Sequence, residues 1–339
     1  MANRLCCLEG VEVMVTNKKF WKNKRVLITG HEGFLGSHLT KHLISYGAKI
    51  TGLDIVIGRK NTVFSDADRK KITAIKGSVA NYKLVKKIIH DQKIEYIFHL
   101  AAEAIVGVCL KLPLRAFSTN IRGTWSLLEA CRNTDHLKAV IIASSDKAYG
   151  SHDRLPYKET YALQGRNPYD VSKSCADLLA HAYFHTFGVP VVVTRCGNIY
   201  GPGEYNFSRI VPDTIKSLLS KKPVVIRSDG NFTRDYVYVD DIVNGYILLA
   251  QKLQKLKLSG EAFNFSAENP VTVLELVKLI CKSSRSAFLC KIANQAKYEI
   301  KDQYLSACKA RKILNWRPEY TLENGLKKTI TWYKYLFKK

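Results

Sequence analysis

The chain has 339 residues, 46% of them hydrophobic, and a formal net charge of +24. That length buries a sizeable core and leaves room for a main unit with a smaller companion, while no apolar run approaches the roughly 20 residues that a bilayer span requires. The nine cysteines, at 6, 7, 109, 131, 175, 196, 281, 290 and 308, are odd in number, scattered and free of any C-x-x-C pair, which argues against both a disulfide framework and a zinc site.

Residues 1–24 read as an N-terminal appendage. Met14 stands just ahead of Asn17-Lys18-Lys19-Phe20-Trp21, so the first thirteen residues are read as an extra segment or an alternative start. The opening lacks a continuous signal-type apolar core, and a cytoplasmic protein is expected. Arg25-Val26-Leu27-Ile28-Thr29 then reads as a buried strand, Gly30-His31-Glu32-Gly33 as a turn, and Phe34-Leu35-Gly36-Ser37-His38-Leu39 as the start of a helix. Such an arrangement holds a dinucleotide pyrophosphate. Gly30 permits the tight turn, Gly33 lets the backbone approach the phosphates, and Gly36 lets the helix pack close to the strand. The helix N-terminus offers N–H groups and a partial positive charge to the anion. A second apolar strand, 49–53, ends in Asp54, 24 residues past Gly30, where an acid grips the adenosine ribose hydroxyls. Asp54 favours NAD; Arg59 and Lys60 leave NADP as the alternative.

Apolar strands go on alternating with amphipathic helices. Strands fall near 25–30, 49–54, 72–76, 96–101, 139–145 and 190–195, and helices near 34–46, 81–92, 115–132 and 168–187. This predicts an α/β fold, a doubly wound parallel sheet of the Rossmann kind covered on both faces, over residues 25–195. Asn167 is expected to cap the last of these helices, with Pro168 in its first turn. Beyond 196, Pro202, Pro212, Pro223 and Pro270 interrupt the pattern, leaving a strand at 262–265 and helices near 273–283 and 322–336. Residues 196–339 are therefore expected to form a smaller mixed α/β lid that binds substrate, with a strand or helix returning to the first domain.

Cys131 and Cys175 fall in apolar helical patterns, so buried reduced thiols are expected there. His181 and His185 share a helix face but are read as a surface or interface pair, and no metal site is expected. The lysines are spread along the chain without a basic-aromatic module, which argues against nucleic acid and suits an anionic substrate such as a nucleotide diphosphate sugar. Helices 115–132 and 168–187 carry broad apolar stripes (Trp125, Leu127, Leu128; Leu178, Leu179, Tyr183, Phe184). These suggest a four-helix homodimer interface, with burial in the monomer core as the alternative.

Two segments carry the chemistry. Tyr169 and Lys173, at i,i+4 spacing, share one helix face, so the ammonium together with a cationic nicotinamide can lower the phenol pKa from about 10 toward neutrality. The phenolate then removes a hydroxyl proton as hydride leaves. Ala143-Ser144-Ser145-Asp146-Lys147 ends the fifth strand, where open parallel sheets bind ligands. Ser145 can bond the same substrate hydroxyl, and Asp146, if desolvated, can serve as a general acid; its structural alternative is to cap the next turn or pair with Lys147.

Gly30, Gly33 and Gly36, the trio Ser145, Tyr169 and Lys173, the segment Arg195-Cys196-Gly197-Asn198-Ile199-Tyr200-Gly201-Pro202-Gly203 and the segment Arg234-Asp235-Tyr236-Val237-Tyr238-Val239-Asp240-Asp241 together resemble the extended short-chain dehydrogenase/reductase family that acts on nucleotide sugars. Within it, Phe20-Trp21-Lys22-Asn23-Lys24-Arg25, Gly30-His31-Glu32-Gly33-Phe34, Ser145-Asp146-Lys147 and Ser208-Arg209-Ile210-Val211-Pro212-Asp213 are most similar to the CDP-glucose 4,6-dehydratase branch. The resemblance implies a 4,6-dehydratase acting on a nucleotide hexose of the CDP-glucose or GDP-mannose type. Tyr169 would deprotonate the 4-hydroxyl, Asp146 would protonate the leaving oxygen at C6, and NAD would be regenerated in place. It also implies cofactor contacts from Phe34, Leu35, Ser78, Val79, Leu100, Ala101, Ala102 and Asn120. Asn198 and Arg234 would hold the diphosphate and Arg209 the nucleotide end, and Glu103 and Asn269 would also face the substrate. Lys147 stands where many relatives carry a glutamate base for C5, and Ser78 where many carry an adenine-binding aspartate. A 4-epimerase, which needs Tyr169, Lys173 and NAD but no acid at 146, is the alternative activity, and a non-catalytic NAD-binding regulator is a third.

Overall fold

The computed structural model describes residues 16–295 and 299–338. Six strands, β1 (Arg25–Thr29), β2 (Lys49–Asp54), β3 (Ile72–Lys76), β4 (Tyr96–His99), β5 (Ala139–Ala143) and β6 (Val191–Cys196), are followed by β7 (Asn198–Tyr200), β8 (Val224–Ile226), β9 (Thr233–Tyr238), β10 (Ala262–Phe265), β11 (Pro270–Thr272), β12 (Cys290–Ile292) and β13 (Asp302–Gln303). The main sheet has seven strands in the order β10-β6-β5-β4-β1-β2-β3, every pairing parallel. Consecutive apolar residues such as Val26, Leu27 and Ile28 are fully buried because helices cover both faces of a parallel sheet. One face packs against helices Phe34–Ser45 and Val239–Lys252 through Leu39, Leu43, Ile242 and Tyr246. The other packs against helices Tyr82–Asp91, Gly123–Cys131 and Pro168–Phe187 through Val85, Ile88, Leu127, Leu128 and Ala180. The chain runs outward from β1 to β3 and then returns to β4 on the other side of β1, opening a crevice at the carboxyl ends of β1 and β4 where ligands bind.

The second half builds a small sheet, β11-β9-β13 with β7 also paired to β9, and a parallel β8–β12 ribbon. A third core of Tyr200, Tyr236, Tyr238, Leu276, Ile280, Leu326, Ile330 and Tyr333 joins this sheet to helices Ile210–Leu219, Val273–Ser284 and Leu322–Lys338. Strand β10 pairs with β6, so the chain returns to the first sheet partway through building the second, between β9 and β11.

Some local expectations need correction. The segment before β1 is not an appendage along its whole length: Trp21 is fully buried and packs edge-on to Tyr96 with ring centres 5.0 Å apart. Burial of an indole offsets the ordering of one short 3-10 turn, Lys18–Trp21. The first thirteen residues lie outside the described ones. Asn167 occupies the N-cap position without a side-chain capping bond; its Nδ2 donates instead to Asp170 Oδ2 at 3.4 Å. The expected helix at 115–132 is divided by a π-helical turn, Ser118–Arg122, between helices Pro113–Phe117 and Gly123–Cys131. Cys131 is buried, whereas Cys175 is half-buried. The apolar stripes divide: Leu127 and Leu128 face the core, Leu179, Tyr183 and Phe184 pack against it, and Trp125 and Leu178 remain 45% and 58% exposed. Among the described residues, no helix is long and apolar enough to cross a membrane.

Candidate active site

A cavity of about 1390 Å³ runs from the carboxyl ends of β1 and β2, past β5, to the second sheet. Single-ligand pockets rarely exceed roughly 1,000 Å³, so this one has room for a dinucleotide and a second ligand end to end.

The dinucleotide end is made by backbone. Gly30 has φ +74°, donates its N–H to Leu53 O at 2.8 Å and turns the chain at the end of β1. A Cβ at Gly36 would overlap the Gly30 carbonyl, so the helix Phe34–Ser45 can begin this close to the turn only with glycine there. No side chain caps that helix, and its first turn, with Gly33, Phe34, Leu35 and Gly36, lines the cavity. These N–H groups and the helix dipole fit a pyrophosphate. Asp54, buried at the end of β2, accepts from the N–H groups of Glu32 and Val56, both at 3.1 Å, and borders the cavity. Arg59 lies 3.8 Å from Asp54 Oδ1. Ser78, Val79, Leu100, Ala101 and Ala102 complete the wall, with Ser78 Oγ accepting from the Ala80 N–H at 3.2 Å.

Asn120 is a correction. It does not line the cavity: its Oδ1 accepts from the Glu103 N–H at 2.8 Å, and its Nδ2 donates to Glu103 O and Ser172 Oγ at 3.1 and 2.8 Å. The widened turn points it into the protein, where it ties the Glu103 loop to the helix carrying Tyr169. Glu32 is a site residue that the sequence reading passed over. It accepts from the N–H groups of Gly58 and Arg59 at 2.9 and 3.2 Å and from Arg69 Nη1 at 3.0 Å, which fixes the loop beyond Asp54. Its signal was available as a carboxylate inside a glycine turn.

The chemistry sits at the end of β5. Ser145 caps a 3-10 turn, Asp146–Tyr149, accepting from the Lys147 N–H at 3.2 Å and donating to Asp146 Oδ1 at 2.9 Å. Tyr169 and Lys173 arrive from the helix Pro168–Phe187, and both are buried. Burial raises the Tyr169 phenol to about 12, against the opposing charge of Arg209 and a hydrogen bond with Ser145. Lys173 Nζ lies 6.0 Å from the Tyr169 ring centre, donates to Ala143 O at 2.7 Å, and is lowered by burial to about 8. Among the protein's own groups, desolvation of the tyrosine outweighs its neighbours, so the lowering expected above calls on the nicotinamide charge as well as Lys173. Asp146 and Lys147 line the same cavity, as does Asp170, whose carboxyl is raised by burial despite Lys147 nearby. Burial likewise lowers Lys147, against the pull of Asp146.

The far end is held by paired charges. Asn198, Arg209 and Arg234 line the cavity. Arg209 Nη1 donates to Ile199 O and to Glu204 Oε2, both at 3.3 Å. Arg234, on β9, donates to Thr233 O at 2.9 Å and Lys301 O at 2.7 Å and lies 3.6 Å from Glu299. Glu103 borders the cavity with its carboxylate 2.8 Å from Arg115. Arg227 and Glu299 also line it; nothing in the local sequence distinguishes them. Asn269 is a second correction: it is exposed and outside the cavity, and its backbone N–H bonds to Asp235. The turn after β10 carries it past the rim. His181 and His185 have ring centres 4.1 Å apart on an exposed face, and among the described residues no group of three metal-ligating side chains occurs.

The profile of the GDP-mannose 4,6 dehydratase family matches residues 27–329. The chain is 30% identical over 334 residues to the CDP-glucose 4,6-dehydratase of Salmonella typhimurium, covering 94% of this chain and 92% of that one. Its fold superimposes with a TM-score of 0.83 on the dTDP-glucose 4,6-dehydratase of Bacillus anthracis solved with NAD, at 29% identity over 92% of this chain and 97% of that one. It does so equally, at 0.83, on the UDP-glucose 4-epimerase of Thermotoga maritima solved with UDP-glucose, at 28% identity over 92% and 99%. The chain thus belongs to the extended short-chain dehydrogenase/reductase family of nucleotide-sugar dehydratases and epimerases.

Proposed function

We propose that this protein is an NAD-dependent 4,6-dehydratase of a nucleotide diphosphate hexose. The observation that carries the reading is the pair Asp146 and Lys147 beside Tyr169 on one cavity, since a 4-epimerase has no use for an acid at position 146. The uncapped glycine turn and Asp54 would hold NAD. When bound, it supplies the hydride acceptor and donor and a positive ring charge that helps ionise Tyr169.

Tyr169, bonded to Ser145, takes the proton of the sugar 4-hydroxyl. Lys147, its amine lowered by burial, takes the proton from C5. Asp146 gives a proton to the departing oxygen at C6, so one water leaves. Arg234, with a planar fork suited to phosphate oxygens, and Asn198 hold the diphosphate, and Arg209 the nucleotide end. Residues 25–195 serve as the cofactor unit and 196–339 as the substrate unit. The exposed Trp125 and Leu178 support a homodimer through their two helices, for which sedimentation is the test: a monomer at micromolar concentration contradicts it. Incubation with CDP-, GDP-, UDP- and dTDP-hexoses tests the activity. A keto-deoxy sugar absorbing in alkali is expected, whereas a C4 epimer formed without loss of water points to the epimerase.

A further inference from the structure

We propose that Gln303 is the positioning residue of Lys147: its side-chain carbonyl aims the amine at the sugar end of the cavity and denies it the carboxylate partner that would fix a proton there. The inference deepens the dehydratase reading and rests on Lys147 as the base for C5. Lys147 Nζ donates to Gln303 Oε1 at 2.9 Å, across 156 positions of sequence. Among the described residues, no carboxylate lies within 4.0 Å of that amine. Gln303 is fully buried on β13, where it pairs with Arg234 on β9, so the amide is held on the same strand pair as the candidate diphosphate ligand.

The other half of the amide makes the point. Gln303 Nε2 is buried with no hydrogen-bond partner, and a buried donor in that state is destabilising. A glutamate would remove the orphan and pair with Lys147, and an apolar residue would remove it too. The residue present is the one that offers an acceptor without a charge. The charged groups facing Lys147 are Asp146 beside it, Arg234 on β9, Asp170 in the first turn of the Tyr169 helix and Glu299 just ahead of β13. Burial, the largest influence, favours the free amine, and Arg234 adds to it; the three carboxylates oppose it from beyond contact distance. A carboxylate in direct contact would tip that balance toward the ammonium.

The test uses the full chain. Competitive acetylation of lysines across a pH series, read by mass spectrometry, gives the titration midpoint of Lys147 without any substrate. Gln303→Glu is expected to raise that midpoint by about one pH unit or more, leaving roughly tenfold less free amine at neutral pH, and to move the rising limb of keto-sugar formation the same way. Gln303→Met, which removes the carbonyl and adds no charge, is expected to keep the midpoint at or below the wild-type value while kcat falls and KM changes little. An unchanged midpoint in Gln303→Glu overturns the proposal, and so does an equal rise in both variants. Should Gln303→Glu not fold, a raised midpoint in Gln303→Met alone contradicts it. A wild-type protein that makes no keto sugar from any nucleotide hexose sinks the dehydratase reading instead, while the labelling still judges what Gln303 does to Lys147.

Discussion

The two ends of the cavity are built by different means. The dinucleotide end is a backbone device: Gly30, Gly36 and the uncapped turn at Phe34 are neighbours in sequence and make a surface of N–H groups. The sugar end is an assembly of side chains from distant segments, with Lys147 on Gln303 and Arg234 beside Glu299. The first end needs only a short run of chain folded one way. The second exists only when the lid is in place. Binding of the cofactor should therefore survive changes that abolish chemistry, and the reverse should be hard to obtain.

The sharpest break is Tyr169→Phe. It removes the proton acceptor at the join of the two ends, and a loss of about 10²- to 10⁴-fold in turnover is expected, with the affinity for NAD measured by calorimetry nearly unchanged. Persisting turnover would mean that the base is misassigned. At the sugar end, Arg234→Lys replaces a fork by a point charge and also loses the bond to Lys301 O; roughly a tenfold rise in KM for the nucleotide sugar is expected, again with NAD affinity unmoved.

The pH dependence probes the join itself. Burial raises Tyr169 to about 12 and lowers Lys173 to about 8, so at neutral pH the phenol holds its proton and the amine is mostly charged. Raising the pH frees the phenolate that accepts the substrate proton. The rate of sugar oxidation, followed by stopped-flow absorbance of the reduced cofactor, should therefore climb from pH 6 to 9, and a rate that falls over this range would contradict the assignment of Tyr169 as base. Smallest is Glu32→Gln, which weakens the hold on the loop at Gly58 and Arg59. A few-fold loss of NAD affinity is expected, since glutamine keeps an acceptor oxygen for the loop N–H groups, while kcat in saturating NAD stays put.

The same contrast explains what could be read from the sequence. The helix Pro168–Phe187 and the strand Lys49–Asp54 were legible to the residue, because alternation of buried strands and amphipathic helices is local. The glycine turn, Asp54, and Tyr169 with Lys173, each a local pattern, do border one cavity. The cofactor role of Asn120 was implied by the family resemblance; the partners that hold its side chain, Glu103 and Ser172, lie 17 and 52 residues away and could not be read beside it. Asn269 was misplaced because the course of the chain after β10 depends on the second sheet. Trp21 was assigned to an appendage because nothing beside it in sequence announces Tyr96 as its partner. Gln303 and Glu299 could not be seen at all, since their meaning comes from Lys147 and Arg234, far away in the chain.

The central claim is that Asp146 serves the loss of water and not the transfer of hydride. A single-turnover reaction of Asp146→Asn with the nucleotide hexose that wild type converts, following reduced cofactor and sugar product together, tests it most directly. Reduced cofactor should form at close to the wild-type rate and persist, with 6-deoxy product slowed by about 10²-fold or more. Elimination at the wild-type rate, with no build-up of reduced cofactor, would contradict it.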